Sequence, residues 1–197
     1  MKKIFFLLLV VAAVWKLYSD PGAVNLGPGV HAKESPRQTG IKVPSSFEHG
    51  DYTVTPMARF WIRAKVLSRE DYSFDREADL SPVDLALGWG NMSDEAVVEQ
   101  IEISQSGRWY RWSTREPPIP LREIETHSAN MHLIPADDLV ESEIDKVRSG
   151  EIIELSGSLV EIKASDGWSW KSSMTREDTG ARACELIWVD QFQIIKP

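Results

Sequence analysis

The clearest periodic segment of the chain spans residues 57–67, where apolar and polar side chains alternate. Its apolar positions share one parity and comprise Ala58, Phe60, Ile62, Ala64 and Val66. The opposite parity is basic and aromatic and comprises Arg59, Trp61, Arg63 and Lys65. Because successive side chains of a strand point to opposite faces, this alternation predicts a half-buried strand with a basic outer stripe.

Three later segments predict further strands. Residues 101–113 have two strand-like halves around a turn at 105–107, which is typical of a hairpin. Residues 151–163 form a long apolar strand whose buried parity changes near Gly157, and this change indicates a bulge or bend of the kind that closes small barrels. The last strand is predicted over residues 183–195, after a turn at Asp166-Gly167.

Helical signals are fewer and shorter. A serine followed by a proline predicts that one short helix begins at Ser81, and a second is predicted from Ser93 to about Gln100. The clearest helix is predicted over residues 138–149, where three apolar side chains share a face and Gly150 follows. The elements together predict an α+β fold with a bent, mostly antiparallel sheet and two or three helices. A small OB-like barrel is our first hypothesis for that sheet.

The N-terminus predicts a membrane anchor. Residues 4–15 are all apolar and follow the basic start Lys2-Lys3. A cleaved signal peptide shares these features, but residues 14–18 are bulky where cleavage requires small side chains. We therefore expect an uncleaved transmembrane helix over residues 1–18, with the cleaved signal peptide as the alternative. Because basic residues remain inside, the rest of the chain would lie outside the inner membrane, in the periplasm.

Composition divides the remainder into a tether and a domain. Residues 19–50 contain four prolines and five glycines and lack an apolar period, so they predict a flexible linker. Residues 51–197 are predicted to form one soluble extracytoplasmic domain. Residues 1–50 carry six basic and three acidic side chains, so the net charge of −8 leaves −11 on that domain. Such an acidic domain would repel a phosphate backbone, and we expect no nucleic-acid partner.

Three short islands carry a resemblance to a known family. They are residues 84–90 (DLALGWG), residues 128–135 (SANMHLIP) and residues 166–185, which include the run Thr175-Arg176-Glu177-Asp178-Thr179-Gly180. Together with the N-terminal anchor, these islands resemble an uncharacterised family of bacterial single-pass membrane proteins, over most of residues 80–190. The resemblance implies a location in the bacterial envelope. It implies no activity and transfers no functional residue.

Few residues are candidates for metal binding or catalysis. His127 and His132 are the only histidines of the predicted domain and are weak candidates for metal ligands, because five residues separate them and only a loop could bring them together. Cys184 is the only cysteine, so no intramolecular disulfide forms. It lies in a predicted apolar strand, where burial would make the thiol unreactive. No catalytic or cofactor-binding signature is present, and we expect no cofactor.

Two surfaces are candidate binding sites. The first is the basic stripe on residues 57–67, which could receive an anionic ligand, a glycan or an acidic partner, or else form salt bridges with its neighbours. The second is the returning half of the hairpin, where aromatic and arginine side chains that anchor interfaces are concentrated. Its candidate residues are Arg108, Trp109, Arg111 and Trp112.

These features lead to three functional hypotheses. The first is a membrane-anchored, non-catalytic envelope module that docks onto another envelope protein or complex. The second is a periplasmic metal-dependent enzyme that uses His127 and His132. The third is a sensor of anionic ligands or glycans that uses Arg59, Arg63 and Lys65.

Overall fold

A computed structural model describes residues 22–175 and 183–196. Its strands are β1 (Arg37–Gly40), β2 (Phe47–His49), β3 (Tyr52–Asp71), β4 (Val83–Gly88), β5 (Glu102–Ser106), β6 (Trp109–Ser113), β7 (Ser128–Pro135), β8 (Ile152–Ala164), β9 (Ser169–Lys171) and β10 (Glu185–Ile195). Its α-helices are α1 (Arg76–Leu80), α2 (Glu95–Val98), α3 (Leu121–Thr126) and α4 (Asp138–Ile144), and a 3₁₀ turn spans Gly90–Ser93. The α+β class is confirmed. The described residues contain four short α-helices where two or three were expected.

The five long strands pair in a closed order. Strand β3 pairs with β4, β4 with β7, β7 with β10, β10 with β8, and β8 again with β3. Only the β7–β10 pair among these is parallel, so the sheet is mixed but mostly antiparallel. Strand β3 is 20 residues long and contributes to two sides of the closure, its first part against β8 and its last part against β4. Strands β1 and β2 add to β3, and β9 adds to β8.

The enclosed side chains form the main apolar core. The inner parity of β3 points into this core, as the alternation over residues 57–67 predicts. Helix α4 packs Val140 and Ile144 against the same core, and Val147 follows from the turn after the helix. The helix begins where the Asp137 carboxylate accepts hydrogen bonds from Leu139 N (3.0 Å) and Val140 N (2.9 Å). It ends at Ile144, five residues before the predicted end.

Gly157 marks the predicted bend of β8. The backbone of Trp188 and Val189 on β10 approaches so closely that no Cβ would fit at position 157. The register of β10 against β8 shifts between Val189 and Gln191, directly beside this glycine. A close approach and a register shift together allow the strand to curve, and the buried parity of β8 changes here.

The predicted helix at Ser81 is wrong. Residues 83–88 form strand β4, in which every residue is buried. A strand covered on both faces has no alternation, and its sequence therefore looks like a buried helix segment. The helix of this region is α1, which precedes the Ser-Pro pair. It is capped by Asp75, whose side chain accepts from Ala78 N at 2.6 Å.

Residues 22–50 also differ from expectation, because they lie against the sheet instead of forming a free tether. Strands β1 and β2 are hydrogen-bonded to β3. Further toward the N-terminus, Val24 N donates to Ser149 O at 2.8 Å, and Ala32 is buried. Backbone hydrogen bonds supply this order, so no apolar period is needed in the sequence. The hairpin prediction over 101–113, in contrast, is confirmed by the β5–β6 pair.

The predicted anchor, residues 1–18, lies outside the described residues. Within residues 22–175 and 183–196, no helix has both the length and the apolar character needed to cross a bilayer.

Candidate functional site

The basic stripe of β3 is largely covered by neighbouring elements. Lys65 is 1% exposed and forms an ion pair with Glu95 of α2. Trp61 lies beneath Arg37 of β1, whose guanidinium carbon is 4.1 Å from the centre of the indole ring. Arg63 is half-buried, and Arg59 alone of the four is exposed, with Nη1 at 3.2 Å from Asp190 Oδ2. Local partners therefore already hold most of this charge.

The β5–β6 hairpin has one face toward the rest of the fold and one face in solvent. Trp112 packs toward the cluster of Met92, Ile101 and Ile124. Tyr110 donates its hydroxyl to Ser128 Oγ at 3.1 Å, and burial raises its pKa to about 12. Trp109 is 42% exposed and Arg111 is exposed beside it, with the guanidinium carbon 5.9 Å from the ring centre. The four predicted hairpin residues thus have different environments.

Arg108 holds the hairpin turn in a strained backbone conformation. Its φ is +68°, in the left-handed region that non-glycine residues rarely occupy. Its backbone N–H donates to Tyr72 Oη at 2.9 Å, and its guanidinium carbon lies 3.9 Å from the centre of the Tyr72 ring. Burial is the main cause that raises the pKa of Tyr72. Strain of this kind persists only where the surroundings hold the residue firmly, and it is frequent at functional sites.

A fully buried carboxylate, Asp84, lies beneath the turn. Its Oδ1 accepts from Arg108 Nη1 at 2.8 Å, and its Oδ2 accepts from Asn130 Nδ2 at 3.3 Å. His132 Nδ1 is 2.8 Å from Oδ2, close enough for an ion pair but outside the angle of a hydrogen bond. The register of β4 against β7 places Asp84 directly opposite His132. A buried charge is tolerated only with such partners, so this cluster depends on all its members.

A pocket of about 490 Å³ opens beside this cluster. Its lining residues come from the hairpin turn, β7, β8 and the segment between β8 and β10: Arg108, Trp109, His132, Glu161, Ser169, Trp170, Lys171, Ser172 and Cys184. The rings of Trp170 and His132 have their centres 4.9 Å apart. Cys184 is half-buried and lies just before β10, so the predicted burial of this thiol within the strand is wrong. Its Sγ is 3.9 Å from Asn130 Nδ2.

An ion pair joins two loops near this pocket. Arg76 of α1 binds Asp166 of the β8–β9 turn through two hydrogen bonds, of 3.2 and 2.6 Å. The hydrogen bond from Arg76 is the largest cause that lowers the pKa of Asp166. The guanidinium also lies over Trp168, with 5.3 Å from its carbon to the ring centre. The loop after β3 is thereby tied to the loop after β8.

The two candidate metal ligands do not meet. His127 lies beside Trp89, with ring centres 6.2 Å apart, and its Nδ1 is 3.1 Å from Thr126 Oγ1. His132 lies in the cluster of Asp84 instead. Within the described ranges, no group of three or more His, Cys, Asp or Glu side chains is arranged to hold a metal ion.

Several residues of the cluster were missed in the sequence. Asp84 and Asn130 come together only through the pairing of β4 with β7, and Trp170 joins them from β9. A usable signal was present for Asp84, because a carboxylate inside an apolar run requires a buried partner. The identity of that partner depends on strand order, which local sequence does not encode.

Comparison of the chain with protein-family models, curated proteins and solved structures finds no match.

Proposed function

We propose that the chain is a non-catalytic binding module of the bacterial envelope, in which an OB-like barrel docks onto another envelope protein through the β5–β6 hairpin. The observation that carries this proposal is the outward pair Trp109 and Arg111. Both are exposed on a hairpin whose turn is held by a buried ion pair.

The position of the hairpin on the barrel supports a binding role. OB-like barrels bind ligands on the face of their second and third strands and on the loops after the first and fourth strands. Counted along the chain, the second and third of the five closing strands are β4 and β7, and the described parts of the two loops are residues 72–82, 165–175 and 183–184. The cluster of Asp84 and His132 lies on these two strands, and the hairpin turn covers it.

The hairpin is also attached to the rest of the fold by side-chain contacts, which favours association. Tyr110 and Trp112 fix its inner face to the barrel, and Arg108 fixes its turn. A surface that is ordered before binding loses little conformational freedom on association. Exposed Trp and Arg contribute strongly at the centres of interfaces, so a fitting partner would offer an apolar hollow for Trp109 and a carboxylate for Arg111.

The predicted location agrees with this role. The hydrophobic N-terminus and the family resemblance both favour a protein held at the inner membrane with its barrel in the periplasm. Because residues 22–50 pack on the barrel, a barrel anchored by residues 1–18 would remain close to the membrane surface. Its partner would then be a membrane protein, or a protein close to the membrane.

A crosslinking comparison tests the proposal. The full-length tagged chain is expressed in its native membrane, treated with a bifunctional crosslinker and purified under denaturing conditions. We expect one discrete adduct with the parent chain and its loss in Trp109→Ala and in Arg111→Ala. Leu139→Ala and Arg59→Ala are matched controls, since both side chains are exposed elsewhere on the surface. An adduct of equal yield in all four variants would contradict docking through the hairpin.

A further inference from the structure

We propose that the pocket beside the hairpin turn binds an acidic sugar, a single pyranose ring that bears a carboxylate. The site shares Trp109 with the outward face of the hairpin, but His132, Trp170 and Lys171 do not belong to that face. The inference therefore does not rest on the docking proposal.

The dimensions of the pocket and its walls fit one ring. A volume of about 490 Å³ lies at the lower end of the range for small-molecule sites. Trp109 and Trp170 contribute two indoles to its lining. Flat aromatic faces pack well against the apolar face of a sugar ring. Trp170 is held in place by His132 and Trp168, whose ring centres are 4.9 and 6.3 Å from its own.

One cation of the pocket is available to an anion. Lys171 and Arg108 line it, and Glu161 is the single acidic side chain among the described lining residues. Glu161 lies directly opposite Lys171 in the pairing of β8 with β9, but its carboxylate forms an ion pair with Lys163 at 3.3 Å, and no ion pair of Lys171 is found among the described residues. Arg108 is neutralised by Asp84. Lys171 is therefore the cation available to a ligand carboxylate, in a domain that is otherwise acidic.

His132 is oriented toward the same space. Its side chain is 5% exposed, and Nδ1 faces Asp84 at 2.8 Å. Nε2 is thus the ring nitrogen left for the pocket, and the ring packs against that of Trp170, with 4.9 Å between the two centres. A ring fixed in this way can exchange a hydrogen bond with a ligand hydroxyl without first being ordered.

The remaining polar groups distinguish a sugar from a hydrocarbon ring. Ser169 can donate and accept, and Glu161 can accept from hydroxyl groups. An aromatic carboxylate would pair with Lys171 but would offer no hydroxyl group to Ser169 or Glu161, so it would lose hydrogen bonds that a sugar can form. The combination of two indoles, a lysine and several hydroxyl partners therefore points to a carboxylated sugar.

The single cysteine gives a direct measure of occupancy. Cys184 lines the pocket, so a bound ligand would shield it from iodoacetamide. The full-length chain in detergent micelles is titrated with D-glucuronate, with D-glucose and with benzoate, while calorimetry records binding independently of the thiol. At ten times the dissociation constant of glucuronate, we expect alkylation to slow by about tenfold. Glucose and benzoate should bind at least about tenfold more weakly, because each lacks one class of contact.

Two variants complete the test. Lys171→Gln, at an exposed position of the edge strand β9, should weaken glucuronate binding by about tenfold or more without unfolding the barrel. Lys146→Gln is the control and should bind as the parent does, because it lies on the connection between α4 and β8. Arg111→Ala should lose docking but keep sugar binding, which separates the two proposals. Equal affinity for glucose and glucuronate, preference for benzoate, or no heat and no protection with glucuronate would each overturn the inference.

Discussion

The outer stripe of β3 and the turn of the β5–β6 hairpin look alike in the sequence, since both combine arginine with tryptophan. In the structure they differ in where the charges find their partners. Arg59 reaches Asp190 across the surface, and both side chains remain largely exposed. Arg108 reaches Asp84, whose side chain is fully buried. In the first arrangement a surface anion neutralises part of a basic stripe. In the second, one arginine holds the hairpin turn over a pocket.

The two ion pairs should differ most in the stability that is lost when the carboxylate of each is removed. Asp84→Asn leaves the Arg108 guanidinium without its buried counter-charge, and we expect a loss of about 3–5 kcal/mol in the free energy of unfolding. Asp190→Asn breaks the exposed pair and should cost at most about 1 kcal/mol. Urea denaturation of both variants measures the difference. Similar losses in the two variants would mean that Asp84 does not hold the hairpin.

The next largest difference is expected between the two tryptophans of the hairpin, in their contributions to stability. Trp112→Ala removes a side chain packed toward Met92, Ile101 and Ile124, and we expect a cost of about 3 kcal/mol. Trp109→Ala removes an exposed ring and should change stability by less than about 0.5 kcal/mol. Thermal unfolding of the two variants compares them directly. A large loss for Trp109→Ala would indicate a structural role and weaken the docking proposal.

A smaller effect concerns backbone strain at the turn. Arg108→Ala removes the guanidinium and keeps a side chain at φ +68°. Arg108→Gly removes the guanidinium and also the steric cost, so it should be more stable than the alanine variant by about 1 kcal/mol. Denaturation curves of these two variants isolate the strain, because both lack the ion pair. Equal stability would mean that the turn relaxes to negative φ when the arginine is absent.

A further effect is expected on the alkaline side. The pKa of Tyr110 is raised from 10.0 to about 12, so the folded state retains the phenol proton longer than the unfolded state. The contribution of this group is fully present below pH 10 and is lost as the pH rises toward 12. Stability of the parent chain should therefore fall more steeply over that interval than stability of Tyr110→Phe. Tyrosinate absorbance in both proteins identifies the late-titrating group.

The sequence pattern predicted those elements whose formation depends on residues close together in the chain. The alternation of β3, the β5–β6 hairpin and the turn at Asp166-Gly167 each depend on neighbouring residues alone, and each was predicted. Strand β4 was missed because burial on both faces removes its alternation. The order of residues 22–50 was missed because it comes from backbone pairing with β3. The cluster of Asp84 and His132 depends on strand order and register, which no local pattern carries.

Site-specific photocrosslinking tests the central claim most directly. A photoreactive phenylalanine analogue replaces Trp109 in one variant of the full-length chain and Arg59 in another. Arg59 is also exposed, but it lies on the outer stripe of β3, away from the hairpin. After irradiation of intact membranes, we predict one discrete protein adduct from position 109, weakened by Arg111→Ala, and none from position 59. Equal adducts from both positions, or an adduct at position 109 that is insensitive to Arg111→Ala, would contradict docking through the hairpin.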